Sequence, residues 1–317
     1  MRAAGFEVHP FSGSGRGLLA IWQMRRALKR LRPDVVHFHD PHGLSGGGIA
    51  AYGLKIPARI VARRVDFAIR STWRYRKLVD RVIAVSNAVA DVCSESGVPD
   101  EKIRVVLDGV DPNRARSGNR ERGRRALGID SETILLLTVA TLTDHKGHTY
   151  LLQAMPTVFE HLPKKNVLLA LAGDGELRAN LEAEAERLGI SHAVRFLGFR
   201  NDVPDLLKAA DVFVLPSHME GLCSTLIDVM IARTPIVSTT AGGVPDLLDA
   251  TTSEPAVAML VAPREPMLLA ASVLSAIKQT ALVQELVNRA EARALSRFTD
   301  EQMVEGTLAV YRELAAT

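Results

Sequence analysis

Short apolar runs of strand length alternate along this chain with segments of helical periodicity. The runs are rich in Val, Ile and Leu and contain few polar residues, as expected of strands that are covered on both faces. Strand–helix–strand units with parallel sheets have this pattern. The predicted strands lie at residues 33–39, 58–64, 81–86, 102–109, 133–140, 167–173, 193–198, 211–217 and 235–240. The chain is therefore predicted to be an α/β protein.

The predicted strands form two groups, separated by a charged segment at residues 114–130. A chain of 317 residues is long enough for two domains of ordinary size. The charged segment is predicted to hold a linker and the first helix beyond it. An amphipathic helix is predicted at residues 176–189. Two α/β units in series follow from this pattern.

The N-terminal end is unusual for a unit of this kind. Residues 3–8 have the pattern of a helix end followed by a strand, so the strand and helix that usually open such a domain are expected to be missing. The next segment, SGSGRGLL at residues 12–19, is rich in glycine. It lacks the third glycine of a dinucleotide-binding fingerprint, so we do not expect it to bind phosphate.

The two parts of the chain carry opposite net charge. Residues 1–128 hold 24 Lys and Arg against 12 Asp and Glu, and the remaining residues hold 15 against 24. The basic residues are densest at 25–32 and 63–81, where Trp73 and Tyr75 lie among arginines. Such a surface attracts the phosphates of nucleic acid, anionic lipid or a phosphorylated molecule. A solvated helix face is the alternative explanation.

Bulk properties exclude several classes of protein. The composition is 47% hydrophobic and 24% charged, which is ordinary for a globular protein. Cys93 and Cys223 cannot build a disulfide framework, and no run of eighteen apolar residues is present. The N-terminus lacks the long apolar core of a signal peptide. A cytoplasmic location is expected.

Ordered motifs carry a family resemblance that covers nearly the whole chain. They are VATLTDHKGH (139–148), LAGDGELR (171–178), FLGFRNDVPDLLKAADVFVLPS (196–217), EGLCSTLIDVM (220–230) and TTAGGVPDLL (239–248). In this order they resemble the retaining nucleotide-sugar glycosyltransferases of family 4, which have the GT-B fold. The earlier segments VVHFHDPHG, VDRVIAVSNAV and VVLDGVDP resemble the same family.

The resemblance implies a GT-B architecture of two Rossmann-like domains with a cleft between them, here with a truncated N-terminal domain. The first, acceptor-side domain is expected at residues 1–118. The second, nucleotide-sugar-binding domain is expected at residues 119–299, and a C-terminal helix at 300–317 is expected to pack back onto the first domain.

Two acids stand where the family places donor contacts. The resemblance implies that Glu220 contacts the donor sugar near the reaction centre and that Asp228, where the family usually has Glu, binds the ribose hydroxyls. A capping glutamate and a surface aspartate are the structural alternatives. Helix N-terminal amides between the acids suit an anion or sugar oxygens. The donor contacts expected in this segment are Gly221, Leu222, Cys223, Ser224 and Thr225.

The leaving diphosphate requires positive charge. The family usually holds it with an Arg and a Lys, and here the matching residues are Thr141 and Lys146. Lys146 is therefore expected to stabilise most of the charge that develops on the diphosphate. His145 and His148 are candidate helpers. The loop from Gly198 to Asp202, including Arg200, is expected to border the nucleotide base.

In the first domain, His39 follows a predicted strand and matches a family histidine that faces the donor sugar. His37 lies two residues earlier on the same face of the strand. The pair could bind a metal, as in a metal-dependent hydrolase, but no second paired cluster of histidines is present among the nine. We therefore expect His37 to pack within the sheet and no metal to be bound.

The expected function is glycosyl transfer that retains anomeric configuration and needs no metal or cofactor. The donor would be a nucleoside-diphosphate sugar and the acceptor a hydroxyl, in glycolipid or cell-surface polysaccharide synthesis. The basic first part predicts an anionic or lipid-linked acceptor and peripheral contact with the inner membrane face, without nucleic acid. A catalytically impaired nucleotide-sugar-binding or regulatory protein is the alternative, because Thr141 and Asp228 depart from the family pattern.

Overall fold

The structure, a computed structural model, describes residues 5–11, 17–249 and 255–315. These residues form ten strands, all in parallel sheets, and fourteen α-helices. The strands are β1 (Val35–Phe38), β2 (Ala58–Arg63), β3 (Arg81–Ala84), β4 (Ile103–Val105), β5 (Ile134–Val139), β6 (Val167–Ala172), β7 (Val194–Gly198), β8 (Val212–Leu215), β9 (Ile236–Thr239) and β10 (Met259–Val261). The helices are α1 (Leu18–Leu31), α2 (Pro41–Ala51), α3 (Trp73–Lys77), α4 (Asn87–Glu95), α5 (Pro112–Arg116), α6 (Arg120–Leu127), α7 (His148–His161), α8 (Arg178–Arg187), α9 (Val203–Ala209), α10 (Ser224–Ala232), α11 (Val244–Leu248), α12 (Pro266–Lys278), α13 (Thr280–Arg297) and α14 (Asp300–Ala315).

The chain divides into two compact units. The first contains residues 1–107 and 304–317, and the second contains residues 108–303. Residues 108–118, which were expected in the first domain, thus belong to the second unit. Backbone contacts explain this assignment, because Val110 pairs with Thr299 and a Cβ added at Gly109 would lie 2.0 Å from the Thr299 carbonyl oxygen.

The first unit contains a four-stranded parallel sheet in the order β1-β2-β3-β4. Helix α2 approaches this sheet closely, since a Cβ at Gly47 would lie 2.6 Å from the Phe38 ring. Val310 and Leu314 of α14 pack on a buried cluster formed by Ala58, Ile60 and Ile83.

Ion pairs hold the end of α14 in the first unit. The Glu313 carboxylate accepts hydrogen bonds from Arg81 at 2.7 Å and from Arg104 at 2.5 Å. Hydrogen bonds from Arg104 and Arg81 lower the pKa of Glu313 to about 2. The carboxylate is therefore ionised at all ordinary pH values.

The second unit contains a six-stranded parallel sheet in the order β10-β9-β8-β5-β6-β7. Strands β6 and β7 follow β5 on one side of it, and strands β8, β9 and β10 follow on its other side. The switch point lies between β5 and β8, where open α/β sheets bind their ligands beyond the carboxyl ends of the strands. Leu136 of β5, Leu169 of β6 and Val214 of β8 are buried together in one hydrophobic core.

The structure confirms all nine predicted strands, with shorter ends, and the helix predicted at residues 176–189. The three-residue strand β10 was not predicted. The strand expected within residues 3–8 is absent from the described part of this segment, because Phe6 and Val8 have no sheet neighbour and are 62% and 37% exposed. Residues 12–16, most of the glycine-rich segment, lie outside the described residues.

Within the described ranges, no single helix is both long and apolar enough to cross a membrane. Helices α12 and α13 meet the requirements of length and composition only when taken together, and they are bent by 97° where they meet.

Candidate functional site

The loop after β5 and the loop after β8 lie against each other at the switch point of the second sheet. Gly147 has φ +69°, and a Cβ there would lie 2.0 Å from the Pro216 carbonyl oxygen. The His218 amide donates to the His145 carbonyl oxygen at 2.9 Å. Only glycine permits both the left-handed backbone and this close approach. The contact brings Lys146, one residue before Gly147, beside the loop that carries Glu220.

Lys146 and Glu220 form an ion pair within this contact. Lys146 Nζ lies 2.7 Å from Glu220 Oε1, and Ser217 Oγ donates to the same oxygen at 2.7 Å. Glu220 is 5% exposed, whereas the Lys146 side chain is 17% exposed. A buried carboxylate is costly unless it is paired and hydrogen-bonded, and both conditions are met here. The structure thus brings together the two side chains that were expected on the sugar and the diphosphate.

The Glu220 backbone is held as well. Its carbonyl oxygen accepts a hydrogen bond from the Gly243 amide at 3.0 Å. Gly243 lies between β9 and α11, so three neighbouring strand ends contribute to one region. Glu220 is thus held by hydrogen bonds at both its carboxylate and its backbone carbonyl.

Asp228 lies on α10 and is bound by a residue that the sequence did not identify. Arg114 of α5 donates to Asp228 Oδ2 at 2.7 Å. The other carboxylate oxygen, Oδ1, is buried and has no partner among the described residues. Burial raises the pKa of Asp228, and the Arg114 guanidinium acts against that rise. The aspartate is therefore a buried acid with one unused acceptor.

Helix α10 begins directly after the loop that carries Glu220. Leu222 is buried, Gly221 is half-buried, and Cys223 has a left-handed backbone with φ +70°. Burial raises the pKa of the Cys223 thiol to about 12, and nearby Glu220 adds to the rise, so the thiol is protonated at neutral pH. Ser224 and Thr225 form the first turn of the helix.

The ends of β6 and β7 meet beside β5. The Gly173 amide donates to the Gly198 carbonyl oxygen at 2.8 Å, and a Cβ at Gly173 would lie 1.9 Å from the Ala140 carbonyl oxygen. Arg200 follows Gly198 and binds both carboxylate oxygens of Asp202, at 2.8 and 2.5 Å. The expected base-bordering loop thus begins at the end of β7.

Thr141 lies on the loop after β5 without contributing a cation. Its side chain is exposed, and its hydroxyl lies 3.4 Å from that of Thr143. His148 is 2% exposed, and burial, followed by the charges of Lys146 and His145, lowers its pKa to about 4. His148 is therefore neutral near pH 7 and cannot help to neutralise a diphosphate.

In the first unit, His39 is exposed directly after β1. His37 and His39 stack with their ring centroids 4.3 Å apart, and His37 Nδ1 lies 2.7 Å from the Tyr311 hydroxyl. Burial, followed by the charge of His39, lowers the pKa of His37 to about 4. The next residue, Asp40, caps α2 by accepting from the Gly43 amide at 2.7 Å.

No metal-binding arrangement is present in the part of the chain that the structure describes. The described residues contain no group of three or more His, Cys, Asp or Glu side chains that could hold an ion. The His37 ring instead stacks on that of His39 and contacts Tyr311.

Two residues of this site escaped the sequence analysis. Ser217 ends an apolar run as its only hydroxyl and lies three residues before Glu220, which is a signal that could have identified it. Arg114 lies 114 residues before Asp228 in a segment interpreted as a linker, so no local pattern connects the two.

Family models match most of the chain. Residues 119–293 match the model described as Glycosyl transferases group 1. Residues 2–114 match the model described as Glycosyltransferase Family 4. The first match includes Thr141, Lys146, Glu220 and Asp228, and the second includes His39.

Curated relatives agree with these matches. An uncharacterized glycosyltransferase of Methanocaldococcus jannaschii is 30% identical over 239 residues, which are 73% of this chain and 60% of the relative. The UDP-Gal:alpha-D-GlcNAc-diphosphoundecaprenol alpha-1,3-galactosyltransferase of Escherichia coli is 28% identical over 245 residues, which are 72% of this chain and 62% of the relative. The match therefore spans about three fifths of the length of these relatives.

Solved structures share the fold. Anabaena HepE in complex with UDP and glucose superposes with a TM-score of 0.81 at 21% identity, covering 98% of this chain and 84% of that chain. A glycosyltransferase of Rickettsia africae gives a TM-score of 0.81 at 17% identity, with the same coverage. These similarities show the GT-B fold. With the family match over residues 119–293, they lead to one conclusion: the chain belongs to the glycosyl transferases group 1 family.

Proposed function

We propose that this chain transfers a sugar from a nucleoside-diphosphate sugar to an acceptor hydroxyl, with retention of the anomeric configuration. The observation that carries the proposal is the ion pair between Lys146 and Glu220 at the switch point of the second sheet, with 2.7 Å between Nζ and Oε1. The cation can stabilise the charge that develops on a leaving diphosphate, and the neighbouring carboxylate can accept hydrogen bonds from the sugar hydroxyls.

The reaction breaks the bond between the sugar C1 and a diphosphate oxygen and forms a bond between C1 and the acceptor oxygen. The acceptor proton passes to the departing diphosphate, which leaves from the same face of the sugar. Lys146 stabilises the negative charge that develops on the diphosphate. The N-terminal amides of α10 supply a further favourable field, because a helix N-terminus carries partial positive charge.

The remaining residues bind and orient the donor. Glu220 accepts hydrogen bonds from the sugar hydroxyls, and its rigid backbone fixes their direction. Asp228 accepts a hydrogen bond from the ribose. The family resemblance assigns His39 a contact with the donor sugar, and the loop from Gly198 to Asp202 borders the base. No metal or cofactor takes part in the proposed reaction.

Relatives support a nucleotide-sugar donor. The E. coli relative is named for a UDP-galactose donor, and HepE has been solved with UDP-glucose. The names of these proteins describe their own ligands. We extend to this chain only the shared chemistry, a nucleoside diphosphate joined to a sugar.

We also propose that the acceptor is anionic or lipid-linked and that the chain acts in glycolipid or cell-surface polysaccharide synthesis. It would do so in the cytoplasm, in peripheral contact with the inner membrane face. Helix α1 supports this, because its sequence LLAIWQMRRALKRL contains four basic residues and no acidic residue. Leu18 and Trp22 are 88% and 56% exposed, and the Arg26 guanidinium lies 5.6 Å from the Trp22 ring centre. Equal binding of the chain to anionic and neutral vesicles at low salt would contradict this proposal.

Thr141 favours a second candidate function, in which the protein binds nucleotide sugars without turning them over. A hydroxyl replaces the cation that family members usually place at this position, and it lies 3.4 Å from the Thr143 hydroxyl. Lys146 alone would then bind the diphosphate but would not stabilise its departure enough for turnover.

A panel of UDP-, GDP- and ADP-sugars separates the two functions. Release of nucleoside diphosphate, together with proton NMR of the sugar anomer as it forms, should show turnover with one donor and a product of unchanged configuration. Nucleotide binding without any turnover would favour the second function. Inversion of the anomeric centre would contradict the retaining mechanism.

A further inference from the structure

We propose that Arg114 is a positioning residue for the nucleotide ribose, because it binds one carboxylate oxygen of Asp228 and leaves the other oxygen to accept a hydrogen bond from a ribose hydroxyl. This inference rests on the proposed function. It assigns a role to a residue that lies outside the motifs of the second domain and 114 positions before its partner.

The geometry distinguishes the two oxygens of the carboxylate. Arg114 donates to Asp228 Oδ2 at 2.7 Å, and Oδ1 is buried with no partner in the described part of the chain. The Asp228 side chain is 12% exposed, whereas that of Arg114 is 57% exposed, so a buried carboxylate is paired with a largely exposed guanidinium. A buried acceptor without a partner is unfavourable, and a donor from a ligand would satisfy it.

Charge explains why the arginine is needed. A carboxylate that is buried without a cation tends to take up a proton, and a protonated acid is a weaker acceptor for a hydroxyl group. Arg114 is the charged group that acts directly on Asp228. Its guanidinium opposes the rise in the pKa of Asp228 that burial causes, and it thereby favours a charge-assisted hydrogen bond to the ribose.

The position of Arg114 makes this role specific. It lies on the short helix α5, which packs against α10. Arg116, two residues later on α5, is bound instead to Glu291 of α13 at 3.4 Å. Arg116 therefore offers a matched control, since it has the same charge and helix but a different partner.

The test measures the affinity of UDP, GDP and ADP by titration calorimetry, and then that of the 2′-deoxy and 3′-deoxy forms of the tightest binder. Arg114→Ala should weaken the ribonucleotide by about 10- to 100-fold, the range for a hydrogen bond to a charged group. It should also remove most of the preference for ribonucleotide over deoxynucleotide. Arg114→Lys should retain part of the ribonucleotide affinity and part of the preference for ribonucleotide. Arg116→Ala should change the affinity by less than about twofold.

A double-mutant cycle tests whether Arg114 acts through Asp228. In the Asp228→Asn background, Arg114→Ala should weaken nucleotide affinity by no more than about a further twofold, because the carboxylate that Arg114 binds has been removed. Thermal unfolding monitors each variant for folding, and Arg114→Lys replaces the alanine variant if that variant does not fold. Arg114→Lys should then weaken the binding of the ribonucleotide more than that of the deoxynucleotide.

Three results would overturn the inference. The inference is wrong if Arg114→Ala binds the ribonucleotide as tightly as the unaltered chain does. It is also wrong if Arg114→Ala keeps the full preference for ribonucleotide over deoxynucleotide. Tighter binding would overturn it as well, since it would make Arg114 a competitor for Asp228. If the unaltered chain binds none of the three nucleotides, the proposed function itself fails, and the inference fails with it.

Discussion

Lys146 Nζ lies 2.7 Å from Glu220 Oε1, although 74 residues separate the two in the chain. The contact depends on two loops that meet because Gly147 has no side chain. A cation and an acid held in this way are neutral as a pair before a ligand binds. In the proposed mechanism, the ammonium group of Lys146 interacts with the entering diphosphate while Ser217 continues to donate to Glu220.

Replacing Thr141 by arginine should compensate for a lost Lys146. In the Lys146→Ala background, Thr141→Arg restores a cation at the position where family members have one, and we expect it to recover part of the turnover. The same substitution in the unaltered chain should not reduce turnover, because the Thr141 side chain is exposed and its hydroxyl lies as far as 3.4 Å from that of Thr143. Turnover in the double variant that equals that of Lys146→Ala would contradict this prediction.

Removing divalent metal should leave the reaction intact. Lys146 and the helix amides carry the diphosphate charge in the proposed mechanism, so turnover after treatment with EDTA and gel filtration should remain within about twofold of the untreated level. Loss of activity that returns with Mg²⁺ or Mn²⁺ would mean that a metal ion carries this charge.

Gly147→Ala should destabilise the second unit more than Gly189→Ala. Both glycines have similar backbone angles, φ +69° and +71°, so both substitutions incur the left-handed cost of about 1–2 kcal/mol. Only at Gly147 does the new Cβ meet the Pro216 carbonyl oxygen, whereas nothing lies within 4 Å at Gly189. The extra loss in the free energy of unfolding, about 1–3 kcal/mol, can be measured by chemical denaturation. Equal losses would exclude the proposed close packing of the two loops.

His148→Phe should make stability less dependent on pH. The folded protein holds the pKa of His148 at about 4, below the ordinary value of 6.5, so between these values the unfolded chain binds the additional proton. Stability supplied by neutral His148 is therefore complete above pH 6.5 and decreases as the pH falls towards 4, by at most about 1.4 kcal/mol per pH unit.

The phenylalanine variant should lose less stability than the unaltered chain when the pH falls from 7 to 5. Thermal unfolding at several pH values measures this difference. The prediction is wrong if His148→Phe and the unaltered chain lose the same stability over this range.

Local patterns were sufficient for most of the fold. The central strands of the second unit, β5, β6, β8 and β9, are apolar runs that are buried along most or all of their length, as expected of strands covered on both faces. Strand β10 was missed because it has only three half-buried residues, Met259–Val261, and pairs at the edge with β9 alone. The strand expected near Phe6 was wrong because no neighbouring strand pairs with it in the described residues.

The site was only partly predictable. Lys146 and Glu220 were identified one at a time from motifs, whereas their pairing depends on the order of strands in the sheet, which periodicity does not specify. Arg114 was missed because its contact with Asp228 is long-range and its own surroundings are a run of charges. The division between Leu107 and Asp108 likewise depends on the backbone contact with Thr299.

The most direct measurement of the central claim is the rate of nucleoside diphosphate release by the unaltered chain and by Lys146→Ala, with the best donor of the panel. Removing a preorganised cation from developing charge costs about 10²- to 10³-fold in turnover, and we predict a loss of that size, with the variant still folded by thermal unfolding. Lys164→Ala, which removes an exposed lysine from the same unit, should retain normal turnover. Turnover in Lys146→Ala close to that of the unaltered chain would contradict the account.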